Sequence, residues 1–125
     1  MSAPRPGKRI LLVEDNSLIR DAVAKLLERA GYTVIATAHG EEALIRLQDS
    51  EKPALILLDL SMPVMDGWQF RRAQTKDARL ASIPVVLFSG EDDLPQQAAA
   101  LQSAAILEKP VEVEKLLRTV GRLCA

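Results

Sequence analysis

Three carboxylates, one hydroxyl and one amine stand out in this chain by where they fall. Glu14 and Asp15, Asp59, Ser89 and Lys109 each follow on, or just past, a short apolar run. The runs are 9–13, 55–58, 84–88 and 105–107. Carboxylates brought close together repel, so such a cluster invites a hard divalent cation. Mg²⁺ suits it, because that ion prefers oxygen ligands and keeps several waters. A cation held there neutralises an arriving phosphoryl group. A carboxylate can act as the nucleophile and form an aspartyl phosphate. A lysine and a hydroxyl are the donors that equatorial phosphoryl oxygens need. Taken singly, each residue has a blander reading. An Asp after a strand is usually a cap or turn residue, Ser89 a loop hydroxyl and Lys109 a solvated lysine. Asp59 resists this, since it interrupts an apolar stretch where an unpaired charge is costly.

The elements that must position these residues alternate regularly. RILLV at 9–13 is continuously apolar after Arg9, as in a strand buried on both faces. Asn16 or Ser17 can cap the helix that follows. In it Ile19, Ala22, Val23, Leu26 and Ala30 line one face, and Gly31 ends it. The same alternation predicts strands at 33–36, 55–58, 84–88 and 105–107, and helices at 41–47, after an Asp66 cap through about Gln74, at 94–101 and at 111–123. Strand-then-helix units, five times over, imply an α/β fold: a doubly wound five-stranded parallel sheet flanked by five helices. In such sheets the working residues lie at the carboxyl ends of the strands, near the switch in strand order. That rule places Glu14, Asp15, Asp59, Ser89 and Lys109 at one edge.

Composition narrows the function classes. The 125 residues carry 16 Lys+Arg against 17 Asp+Glu. There is no basic excess or stripe of the kind nucleic-acid binders show. No apolar run approaches the roughly 20 residues of a membrane span, and the run at 10–13 is too short for a signal peptide. The single Cys124 excludes an internal disulfide and a cysteine metal site. The reading is therefore a cytoplasmic protein with no membrane insertion and no direct nucleic-acid contact. One His, His39, disfavours histidine-based metal sites and Ser-His or Cys-His catalysis; it reads as a surface or capping residue. Trp68 reads as partly exposed beside the loop at 61–67. The stretch 1–8, with Pro4, Pro6 and Gly7, reads as a flexible lead-in, and 9–125 as one domain.

Four segments in order, ILLVEDN (10–16), LILLDLSMPVMDG (55–67), PVVLFSG (84–90) and LEKP (107–110), resemble the receiver domain of two-component response regulators, in the flavodoxin-like fold of chemotaxis receivers. The resemblance covers about 9–123. It implies that Asp59 is the phosphoacceptor, and that Glu14, Asp15, Asp59 and the main-chain carbonyl of Ser61 hold Mg²⁺. It further implies that Ser89 is the switch hydroxyl, that Lys109 pairs with the phosphoryl group, and that the Lys109–Pro110 peptide is cis. The implied partners are a sensor histidine kinase or phosphotransfer protein upstream and a protein target downstream. The implied state is a monomer or a weak phosphorylation-dependent dimer.

Two departures accompany it. Ile106 stands where the family commonly places Tyr or Phe, three residues before the lysine. The stretch between Ser89 and Lys109 is a residue or two short, with Gln102, Ser103 and Ala104 before the last strand. These keep open a second reading, a scaffold of receiver fold without phosphorylation-dependent switching. A turnover phosphatase with an aspartyl nucleophile would want an acid-base Asp two residues after it, where Ser61 stands, and no nucleotide-binding glycine motif occurs.

Overall fold

The computed structural model describes residues 7–49, 52–60, 67–90 and 103–124. Five strands form one sheet: β1 (Arg9–Val13), β2 (Thr33–Thr37), β3 (Leu55–Asp59), β4 (Val85–Ser89) and β5 (Ala105–Glu108). The order across the sheet is β2-β1-β3-β4-β5, and every pairing is parallel. Four helices are described: α1 (Ser17–Arg29), α2 (Gly40–Asp49), α3 (Gly67–Lys76) and α4 (Val113–Leu123). The helix expected at 94–101 lies outside the described residues, as does Asp66.

β1 and β3 sit centrally because they can be buried on both faces. All of β3, LILLD, is buried, and so is β1 after Arg9. Successive side chains point to opposite sides. Leu11, Val13, Ile56 and Leu58 pack with Ala43 and Leu47 of α2 and Phe70 of α3. Ile10, Leu12, Leu55 and Leu57 pack with Val23 and Leu27 of α1 and Leu116 and Val120 of α4. β2 and β5 are edge strands and have exposed positions, Ile106 among them at 40%.

Local signals set the ends of α1. Asn16 Oδ1 accepts from the N–H groups of Leu18 and Ile19, at 3.0 and 3.1 Å. At the other end Gly31 adopts φ 102°, a conformation glycine takes without penalty. Its N–H donates to Glu28 O, and that of Tyr32 to Leu27 O, a Schellman arrangement. His39 proves to be a capping residue: its Nδ1 accepts from Glu42 N, and its carbonyl accepts from Ala43 N. Several boundaries differ from expectation by one to a few residues. β4 starts at Val85 rather than Pro84, which has no N–H to give a ladder. α4 starts at Val113 rather than 111, since Glu112 is extended at φ −77°, ψ 134°.

The chain runs from β1 outward to β2 and returns to β3 on the other side of β1. The switch in strand order therefore lies between β1 and β3, and a crevice opens at their carboxyl ends.

Candidate functional site

Glu14 and Asp15 come directly after β1, and Asp59 is the last residue of the neighbouring β3. Register Val13↔Leu58 puts the two strand ends side by side. Carboxylate oxygens of Glu14, Asp15 and Asp59 lie within 4.8 Å of one another. Glu14 and Asp59 are buried, at 0% and 2% exposure, while Asp15 faces solvent. Lys109 reaches in from just past β5. Its Nζ stands 3.1 Å from Asp59 Oδ1 and 3.3 Å from Glu14 Oε1. The Lys109–Pro110 peptide is cis.

The electrostatics follow from this crowding. Glu14 Oε2 accepts from the N–H of Asn16 at 3.2 Å. Glu14 Oε1 is buried and, despite the nearby ammonium, receives no hydrogen bond of acceptable geometry among the described residues. Burial, followed by the hydrogen bond and charge of Asp59, pushes the Glu14 carboxyl up from 4.5 to about 7. For Lys109, burial pulls the ammonium down. The hydrogen bond and charge of Asp59 and the charge of Glu14 outweigh this and hold it above its usual range.

The donor set suits a hard divalent cation. Three carboxylates face one ammonium within the cluster, so full ionisation leaves an excess of two negative charges. Glu14 Oε1 has the Lys109 ammonium at 3.3 Å but no hydrogen bond of acceptable geometry among the described residues, so it keeps acceptor capacity that a cation can use. Oxygen-only ligands favour Mg²⁺ over softer metals.

Glu14, Asp15, Asp59 and Lys109 are thus brought together as their positions in sequence suggested. Ser89 ends β4 in register with Glu108; its side chain, and that of Trp68, lie outside the described residues. Ser61 lies outside them altogether. Two contributors were not singled out from sequence. Thr37 Oγ1 donates to Leu12 O at 2.8 Å, tying β2 to β1 below the site. Arg20 Nη1 donates to the main-chain oxygen of Glu14 at 3.1 Å. The only trace of the second bond in the sequence is a long cationic side chain one helical turn into α1.

A doubly wound parallel sheet of order 2-1-3-4-5, with acidic residues and a lysine at its carboxyl edge, defines a class of α/β signalling proteins. The response regulator receiver domain profile matches residues 10–121, and the chain belongs to that family. It is 33% identical over 119 residues to protein PilH of Pseudomonas aeruginosa, covering 94% of this chain and 98% of PilH. It is 32% identical to the alkaline phosphatase synthesis transcriptional regulatory protein SphR of Synechococcus elongatus, of which it spans 48%. Among solved structures it is similar to the chemotaxis protein CheY4 of Vibrio cholerae. That match has a TM-score of 0.85 at 31% identity, over 94% of this chain and 98% of the other. No described helix is long and apolar enough to cross a membrane.

Proposed function

We propose that this receiver domain accepts a phosphoryl group on Asp59 from a phosphohistidine of a histidine kinase or phosphotransfer protein, with Mg²⁺ required. The observation that carries the reading is the buried Asp59 carboxylate, paired with Lys109 Nζ at 3.1 Å and clustered with Glu14 and Asp15. In the transfer a carboxylate oxygen of Asp59 forms the new O–P bond as the P–N bond of the donor breaks. The electron pair of that bond stays on the imidazole, which takes up a proton. Lys109 then stands over the oxygens of the phosphoryl group, and Ser89 supplies a hydroxyl donor to them. Glu14, Asp15, Asp59 and the Ser61 carbonyl hold the cation. Bound Mg²⁺ supplies positive charge against the phosphoryl oxygens. Loss of the group follows by in-line attack of water, so the domain switches itself off but turns over no external substrate.

Phosphorylation adds about −1.5 to −2 charges at this edge. The signal passes to a protein target through contacts whose populations shift with that charge. The acting unit is 9–125, a cytoplasmic module that works as a monomer or weak phosphorylation-dependent dimer, without contacting nucleic acid. The similarity to PilH and to the chemotaxis protein CheY4, which this chain covers over nearly their whole lengths, supports the receiver reading. Phosphotransfer profiling against candidate kinases tests this. Transfer from at least one radiolabelled kinase is expected with wild type and Mg²⁺, and none with Asp59→Asn. Equal labelling of Asp59→Asn would overturn the assignment.

A further inference from the structure

The main-chain oxygen of Glu14 lies beyond the last β1–β3 pair, in a residue with no exposed surface. A buried carbonyl of this kind needs a donor. The N–H of Glu14 still reaches the sheet, donating to Thr37 O at 3.1 Å, but its carbonyl takes its donor from a helix: Arg20 Nη1 at 3.1 Å. Helix geometry explains the reach. Arg20 is the fourth residue of α1, and helical side chains lean toward the helix N-terminus. A long side chain there doubles back over the first turn to the strand end from which the helix springs. The enclosed turn carries Asp15, the exposed member of the acidic cluster. Both flanks of Asp15 are therefore tied, Asn16 N–H to Glu14 Oε2 and Arg20 to Glu14 O.

We propose that Arg20 is a positioning residue for divalent-cation binding: its bond to the Glu14 carbonyl fixes the 14–16 turn so that Glu14 and Asp15 present their carboxylates together. The inference rests on the reading of this pocket as a Mg²⁺ site. Arg20 itself touches neither the cation nor the phosphoryl group. Two consequences of removing it have opposite signs. Loss of a positive charge beside three carboxylates tightens cation binding; loss of the brace weakens it. The charge of a half-buried guanidinium is partly screened, with a Debye length of about 10 Å at 0.1 M salt. Removing the groups that orient metal ligands costs about 10–100-fold in affinity. The brace should win, near the low end of that range, because Arg20 holds a carbonyl and not a ligating carboxylate.

Calorimetric Mg²⁺ titration at fixed ionic strength, with metal-free thermal melts alongside, separates these effects. Arg20→Met should bind Mg²⁺ about tenfold more weakly than wild type, and Arg20→Lys, which keeps a donor, should recover part of the loss. Arg20→Ala, which likewise has no side-chain donor, replaces Arg20→Met in the comparison should the latter not fold. Binding by Arg20→Met (or its replacement) as tight as wild type, or tighter, overturns the proposal, as does a complete lack of recovery in Arg20→Lys. Absence of Mg²⁺ binding by wild type overturns the reading of the pocket itself, so the two failures are told apart.

Discussion

Glu14 carries the tension of the site. Its carboxyl is buried, faces Asp59, and is pushed up to about 7 by that burial and that neighbour. A carboxyl raised in the folded state binds its proton more tightly there than in the unfolded chain. For this group stability is highest below 4.5, falls as pH rises from 4.5 to about 7, and levels off above. Metal-free thermal melts should show that fall in wild type and a flatter profile in Glu14→Gln; parallel profiles would remove Glu14 as the cause. Saturating Mg²⁺ should oppose the fall, since cation binding needs the ionised carboxylates. The pieces of this cluster were legible in sequence because each follows an apolar run. Their mutual distances were not, nor was the Arg20 bond, because a side chain doubling back along a helix leaves no periodic pattern.

The elements are legible to different degrees, for physical reasons. β3 announces itself because a strand covered on both faces must be apolar throughout, and α1 because a cap and a stop glycine bracket it. The edge strand β5 is only four residues long and half exposed, so its pattern is weak. The loop from α3 to β4 was not foreseen at all, because it is organised by one buried amide. Gln74 Nε2 donates to the carbonyls of Leu80 and Ile83 at 2.9 and 3.2 Å, while its Oε1 accepts from Arg71. The sequence shows only a glutamine near a helix end. Gln74→Leu keeps much of the volume but leaves two carbonyls without this donor. It should destabilise the fold by about 2–3 kcal/mol, read as a lower urea midpoint with an unchanged slope. A cost below about 0.5 kcal/mol would show that the amide does not organise the loop.

At the scale of the whole molecule, near-neutral net charge conceals an uneven distribution. Three of the 17 acidic residues meet at the switch between β1 and β3, with Lys109 between two of them. The sheet order makes that meeting unavoidable once β1 and β3 are adjacent, which is why fold and site could be read together. Ile106, where an aromatic is common in the family, points to solvent at 40% exposure and offers no ring to convey a change at the site. The proposed signalling rests on Asp59 being a phosphoacceptor. The most direct measurement is mass spectrometry of the protein after incubation with acetyl phosphate and Mg²⁺, with borohydride trapping to locate the adduct. The account predicts one phosphoryl group, on Asp59, lost when Mg²⁺ is chelated beforehand and absent from Asp59→Asn. An unmodified wild type, or an adduct on another residue, would contradict it.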